Sequence, residues 1–398
     1  MKICFWLTAY FALGGTKRVV TLIANELVKR HDITIMCHQS RHKEDRSMYG
    51  LDPAVKIDYV NLYEFVDLRQ MNAENIHRKL IREINDKTGF YNTDSRKEKL
   101  AEAIFPLESR KRYANYVNAQ GYDVVIAAGR MGLWLAMMSP FLKCKTVGWQ
   151  HSNFDGYLHV KKILFWKKEA LLQEYLPRLD AYVVLTRYDQ QDYLEKLNIQ
   201  SVVMTNPRTF VSDEKSNVMA KKFLMVTRFE YVKGLDLAIK AFQKFAESDQ
   251  EWEFDIVGNG TLFNQVNKEI NDLGLSERIH LLGYSNQVKD YYLNSSILLF
   301  PSRWEGWGMV VVEANEFGVP VIAFNVRPMD LTIKNRETGL LVEPFDTDKY
   351  AEAMLELAHN DELRKNMSAK AIEQNKQYDI AKIGLNWEEL LGGLVSGR

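Results

Sequence analysis

The sequence predicts an α/β chain made of two doubly wound, Rossmann-like units, each with a parallel sheet. Three observations carry that prediction. Short apolar runs alternate with helix-spaced patterns along most of the chain. The runs fall into two series, one starting at Lys2 and one near Phe223. The 398 residues also exceed what one ordinary core takes up.

In the first series the predicted strands are residues 2–8, 33–38, 124–128, 146–150 and 181–186. Gly14-Gly15 follows the first of them and leads into Val20, Ile23, Ala24, Leu27 and Val28, which have helical spacing. A strand, glycine turn and helix therefore explain the N-terminus better than a signal peptide, which would need a small-x-small cleavage site. The polar stretch 42–117 is read as helices and loops elaborating the first unit. The apolar stretch 131–142 is interrupted by Ser139-Pro140. It falls short of the roughly 20 residues that cross a bilayer.

In the second series the predicted strands are residues 223–227, 254–257, 279–282, 297–300, 321–324 and 340–342, with a helical pattern at 235–245 among others. Turn formers from Thr205-Asn206-Pro207-Arg208 to Asn217 mark the boundary. The predicted domains are 1–206, 207–378 and a final helix, 379–398. Trp387 in that helix needs a surface to cover, so the helix is expected to pack back across both domains. Doubly wound sheets bind ligands at the carboxyl ends of their strands. Two such sheets facing each other would hold a ligand in the cleft between domains.

Hydrophobic residues make up 46% and charged residues 26%, a globular composition. Lys+Arg and Asp+Glu both total 52, which argues against a broad nucleic-acid surface. Cys4, Cys37 and Cys144 form no Cys-x-x-Cys pair and read as free thiols in a reducing cytoplasm.

The most informative stretch runs from Arg303 through Trp304, Glu305, Gly306, Trp307, Gly308 and Met309 to Glu313. It reads as a buried strand, a glycine-rich turn and a helix starting near Trp307. Glycines admit a ligand close to the backbone, and amides at a helix start favour anions. Glu305 and Glu313, eight positions apart, suit hydroxyl-rich groups on either side of a phosphate. A ligand with sugar, phosphate and sugar in series is a nucleotide sugar.

Arg228 and Lys233 follow the first strand of the second series. An Arg fork and a Lys point charge there could converge on a diphosphate and neutralise charge as it departs. Surface exposure is the ordinary fate of both residue types; their place at a strand end favours the functional role. Gly258-Asn259-Gly260 follows another strand and could admit a planar base against the backbone. For Gly14-Gly15 two readings stand: a loop leaving room for phosphate or sugar, or a tight turn needing positive φ.

Taken together, these elements resemble a retaining GT-B glycosyltransferase of the group 1 (family 4) type. The resemblance rests on Gly14-Gly15, the Arg228 and Lys233 pair, Gly258-Asn259-Gly260, and Glu305 and Glu313 with seven residues between them. It implies a cytoplasmic enzyme, on the inner face of the membrane where the acceptor is lipid-linked, with a nucleotide-sugar donor and no required metal. It implies that Glu305 accepts hydrogen bonds from the donor sugar and that Glu313 holds the ribose. It implies that Arg228 and Lys233 hold the diphosphate and that backbone amides from Gly306 to Met309 complete the anion site. His151, in Trp149-Gln150-His151-Ser152-Asn153, matches the family's histidine after a first-domain strand and would contact the donor sugar. The first domain would bind the acceptor and the second the nucleotide.

Two further features carry competing readings. Asp346-Thr347-Asp348 has the form of a metal-binding Asp-x-Asp, but its place before a helical pattern favours a helix cap. Residues 159–168 carry Lys161, Lys162, Lys167 and Lys168 among bulky apolar residues. They read as a basic amphipathic helix on an anionic membrane, or as a helix whose lysine stems cover its own core. The predicted activity is retaining hexosyl transfer from a UDP-linked donor onto a glycan or lipid-linked acceptor. Rival readings are a nucleotide-sugar epimerase or a phosphorylase of the same fold, and a non-catalytic nucleotide-sugar-binding partner at the membrane. No pyridoxal-binding lysine environment is evident for the phosphorylase. A dinucleotide oxidoreductase fits less well, because Gly14-Gly15 lacks the Gly-x-Gly-x-x-Gly spacing.

Overall fold

The computed structural model describes residues 1–12, 14–39, 44–61, 65, 73–161 and 164–397. The chain forms two compact units, Met1–Pro207 with Ile380–Arg398, and Arg208–Asp379.

The first unit holds seven strands among the described residues. They are β1 (Lys2–Leu7), β2 (Asp32–Cys37), β3 (Lys56–Tyr59), β4 (Val124–Ala128), β5 (Lys145–Trp149), β6 (Ala181–Val184) and β7 (Val202–Val203). All neighbours are parallel, in the order β3-β2-β1-β4-β5-β6-β7. The second unit has β8 (Lys222–Val226), β9 (Glu253–Val257), β10 (Ile279–Gly283), β11 (Ile297–Phe300), β12 (Val321–Phe324) and β13 (Gly339–Val342). These are also parallel, in the order β10-β9-β8-β11-β12-β13.

Helices cover both faces of such sheets, so central strands read as unbroken apolar runs. Val-Val-Ile-Ala-Ala in β4 and Ile-Leu-Leu-Phe in β11 are buried at every position. The stretch expected to hold only helices and loops contains β3, a correction. Its Lys-Ile-Asp-Tyr sequence is short, polar and at the sheet edge, so it shows no apolar run. The helix expected near Trp307 starts at Met309, because Gly308 before it takes a left-handed φ of 79°.

In each sheet the chain runs outward on one side of its first strand and then returns to the other side. The order therefore reverses between β1 and β4, and again between β8 and β11. Doubly wound sheets bind their ligands at the carboxyl ends of the strands, where the order reverses.

The last helix, Ile380–Ser396, packs on helix Gly15–Leu27 within the first unit. Gly384 permits the approach, since a Cβ there would lie 2.5 Å from Cγ of Glu26. Arg30 Nε donates to Glu388 at 2.6 Å. Trp387 is fully buried with its ring 4.7 Å from that of Trp149.

Candidate active site

In the second unit, the loops after β8, β9 and β11 form one backbone-packed platform. The Phe229 amide donates to the Asn259 carbonyl at 2.9 Å, and the Arg303 amide to the Val232 carbonyl at 2.8 Å. Side chains would obstruct this. A Cβ at Gly260 would lie 2.6 Å from the Phe229 carbonyl oxygen, and one at Gly258 or Gly234 would collide with the carbonyl oxygen of Thr227 or Pro301.

Lys233 ends the turn Tyr231–Lys233 after β8, and Glu305 lies in the loop after β11. Lys233 Nζ donates to Glu305 Oε1 at 2.5 Å, with the side chains 20% and 11% exposed. The pair thus spans the reversal between β8 and β11. Cation and carboxylate are preorganised side by side, one suited to phosphate and the other to sugar hydroxyls.

Arg228 has a different partner. Its side chain is 70% exposed and pairs with Glu230 at 2.7 Å. No hydrogen bond or ion pair among the described residues joins it to Lys233 or Glu305. Glu313, in helix Met309–Glu316, is buried and accepts from Thr209 Oγ1 at 2.7 Å and Tyr292 Oη at 3.0 Å. Gly306 and Trp307 lie in the loop leading to this helix. Gly308 caps the helix without a side chain, leaving no side-chain oxygen over the first-turn amides that start at Met309. Trp307 is buried against Tyr378 at 5.3 Å, and its indole nitrogen finds no partner among the described residues. Asn259 accepts from the Gly260 amide through its own side chain at 2.7 Å.

Sequence reasoning missed Arg303. Its guanidinium grips Asp236 through both carboxylate oxygens, at 3.0 and 2.7 Å, and donates to the Tyr231 carbonyl at 2.7 Å. Burial raises the Asp236 pKa while Arg303 lowers it, and the net direction is down. The clamp ties the loop after β11 to the first turn of helix Leu235–Ser248 and so holds Lys233 against Glu305. An Arg two residues before Glu305 and an Asp two residues after Gly234 were the available signal.

In the first unit, Gly14 adopts φ 153° and ψ 147°, a conformation that glycine alone takes readily. Its amide donates to Tyr49 Oη at 2.8 Å, and helix Gly15–Leu27 follows. The positive φ at Gly14 is what the turn reading of Gly14-Gly15 requires. Lys17 Nζ lies 3.3 Å from where a Gly14 Cβ would be.

His151 follows β5. It is half-buried, its ring lies 4.2 Å from that of Trp149, and its amide donates to Tyr157 Oη at 3.2 Å. Its Nε2 is buried and finds no partner among the described residues. Burial, reinforced by the Lys17 charge, pushes its pKa down from 6.5 to about 3, so the imidazole is neutral at neutral pH. Asp189 orders the segment beyond it, accepting from the Phe154 amide at 2.7 Å and from Thr186 Oγ1 at 2.6 Å.

This burial fixes a pH dependence. The unfolded chain protonates His151 near pH 6.5, whereas the folded chain does so near 3. Unfolding therefore takes up a proton between those values, and stability falls as pH drops through that window. Burial of His38, lowered to about 4, acts in the same sense. Asp189, raised to about 6 by burial, opposes them, because the folded chain takes that proton first. His151→Gln should flatten the decline in urea midpoint between about pH 7 and pH 4.5. An unchanged slope would contradict the buried, neutral imidazole.

Asp346 accepts from the amides of Asp348 and Lys349 at 3.1 and 3.0 Å, so it caps helix Thr347–Ala358. Among the described residues one cluster has metal-ligand character: Glu253, Asp255 and His280, with ligand atoms within 4.8 Å of one another. The Lys222 ammonium already sits there, 3.2 Å from Glu253 and 3.3 Å from Asp255. The three cysteines are free, and burial raises the Cys37 thiol to about 11.

The basic segment is a correction. The described part of 159–168 forms turns, whereas both sequence readings had required a helix. Tertiary contacts explain this: Lys167 takes φ 53° and donates to the Lys87 carbonyl at 2.6 Å, Lys168 pairs with Asp86 at 3.0 Å, and Phe165 is buried. Lys161 is exposed, and Lys162 lies outside the described residues. No described helix is long and apolar enough to cross a membrane.

Two family models match in tandem. Glycosyltransferase family 4 covers residues 13–207, and glycosyl transferases group 1 covers residues 208–374. An uncharacterized glycosyltransferase of Haemophilus influenzae is 27% identical, with 98% of this chain and 99% of that protein covered. An α-1,4-N-acetyl-D-galactosaminyltransferase of Campylobacter jejuni, named for an undecaprenol-diphosphate-linked glycan, is 26% identical over 98% of each chain. Among solved structures, TarM superposes with a TM-score of 0.77 at 17% identity, over 98% of this chain and 99% of its own. HepE of Anabaena, solved with UDP and glucose, gives 0.73 at 15% identity, over 99% and 100%. These relatives do not favour the epimerase reading. Two Rossmann-like units with GT-B neighbours, matched in tandem by these two family models over residues 13–374, show that this chain belongs to the group 1 glycosyltransferases.

Proposed function

We propose that the protein is a retaining hexosyltransferase that moves a sugar from a UDP-linked donor to a glycan or lipid-linked acceptor in surface polysaccharide or glycoconjugate synthesis. The Lys233–Glu305 pair at the reversal of the second sheet carries this reading. HepE and TarM have been solved with UDP, which supports a UDP-linked donor. The Campylobacter relative's name supports a lipid-linked acceptor.

The proposed step is a same-face substitution at the anomeric carbon. The bond from that carbon to the diphosphate oxygen breaks, and a bond to the acceptor oxygen forms. The acceptor's proton passes to the departing phosphate oxygen. Lys233 neutralises the charge building on the diphosphate, joined by amides from Gly306 to Met309. Glu305 orients the donor sugar through its hydroxyls, and Glu313 serves the ribose. Arg228 reaches the diphosphate by leaving Glu230, as its exposure permits. The glycine turns Gly14-Gly15 and Gly258-Asn259-Gly260 give the backbone access to ligand. His151, being neutral, acts as a hydrogen-bonding group for a substrate hydroxyl rather than as an acid. No metal takes part in this scheme. The first domain binds the acceptor, on the cytoplasmic face of the membrane. Within the basic segment, exposed Lys161 is then the described lysine left for anionic lipid, since Lys167 and Lys168 are occupied by the Lys87 carbonyl and Asp86.

Incubation with a panel of UDP- and GDP-sugars, followed by proton NMR, tests this. Slow release of α-configured sugar from a UDP-sugar is the expected result. Release of the β-anomer overturns retention, turnover of GDP-sugars alone overturns the base, and acceptor-free interconversion of sugars restores the epimerase.

A further inference from the structure

Tyr231 is 64% exposed, yet its ring is fixed. The Arg303 guanidinium lies 4.0 Å from the ring centroid, and that Arg is itself held by both oxygens of Asp236 and by the Tyr231 carbonyl. The half-buried Trp304 ring stands 6.5 Å away at 55° to it. The sequence neighbours of these two rings are the site pair: Lys233 lies two residues after Tyr231, and Glu305 directly follows Trp304.

An exposed aromatic normally gains nothing from being held still. A ring with one face pinned by a cation and the other open to solvent is preorganised for a partner. Its electron-rich face suits weakly positive C–H bonds, which pyranose rings present on their apolar face. A pair of rings set at an angle offers a corner rather than a flat plate, and so discriminates the shape of the ring placed there.

We propose that Tyr231 and Trp304 form a stacking corner for a pyranose ring beside the Lys233–Glu305 pair, and so act as specificity-determining residues. The proposal rests on the glycosyltransferase reading above. The ring belongs to the donor or to the acceptor, and the test separates these sources.

Titration calorimetry with UDP, UDP-glucose, UDP-N-acetylglucosamine, and glucose in the presence of saturating UDP would be run on wild type, Tyr231→Ala, Tyr231→Phe and Trp304→Leu. Tyr231→Ala is expected to weaken at least one sugar-bearing ligand about ten-fold, with UDP affinity unchanged within about two-fold. Tyr231→Phe should keep wild-type affinity, and Trp304→Leu should fall between. Loss on the UDP-sugars identifies the donor ring; loss confined to glucose identifies the acceptor ring. Sugar affinities unchanged in Tyr231→Ala, or weakened in parallel with UDP, would overturn the corner while leaving the transferase reading intact. A wild type that binds no UDP and no UDP-sugar would overturn both.

Discussion

Replacing Lys233 by alanine should lower kcat/KM for transfer by about two to three orders of magnitude while the fold survives. The cation sits 2.5 Å from Glu305, at the end of a turn that Gly234 and the Arg303–Asp236 clamp hold in place. Neither partner is part of the apolar core of the second unit. Removing the amine therefore takes away a preplaced charge without opening a core cavity. Glu305→Gln should be similarly damaging but different in kind. It keeps an oxygen for Lys233 and loses the carboxylate that accepts from sugar hydroxyls. UDP affinity should thus fall in Lys233→Ala and hold in Glu305→Gln, whereas UDP-sugar affinity falls in both. The double variant should be little worse than either single one, because the two groups act as a unit. Calorimetry with UDP and a UDP-sugar, beside single-turnover rates, reads all three. Near-normal turnover in either single variant would remove the pair from the chemistry.

The large architecture was legible because both sheets are parallel and covered by helices. Their central strands must then be continuous apolar runs, and β4, β11 and β12 match the predicted ranges residue for residue. Period and composition fail where burial is partial, which is why β3 was lost in a polar stretch. The basic segment failed for another reason. Lys168, Trp166 and Lys167 are tied to Asp86 and Lys87, some 80 residues earlier, and no local pattern reports such partners. At the site, the sequence named Lys233 and Glu305 separately, and their contact is a product of sheet order. It could not show Arg228 turned to Glu230, or Thr209 and Tyr292 donating to Glu313. Arg303 was visible as a residue but not as a clamp, because Asp236 lies 67 positions away.

A graded set of glycine substitutions should show how closely the platform is built. Gly258→Ala combines two penalties, a backbone at φ 143° and a Cβ driven into the Thr227 carbonyl oxygen. Left-handed backbone costs an ordinary residue about 1–2 kcal/mol, and forced overpacking about 1–3 kcal/mol. The sum, about 3 kcal/mol, should lower the unfolding midpoint of the second unit by roughly 10 °C. Gly234→Ala, at φ 68° against the Pro301 carbonyl, belongs with it. Gly274→Ala isolates the backbone penalty, since it has φ 67° but open space around the new Cβ; about 1 kcal/mol is expected. Gly392→Ala, inside helix Ile380–Ser396 with nothing within 4 Å, should stabilise by up to about 1 kcal/mol. Urea titrations followed by circular dichroism would rank the four. If Gly258→Ala cost no more than Gly274→Ala, the Thr227 carbonyl could move aside, and the loops after β8 and β9 would be looser than their backbone bonds require. If the ranking holds, Gly258→Ala should also lose nucleotide affinity before it loses its fold, because the strand end it displaces is the one that leads to Arg228 and Lys233.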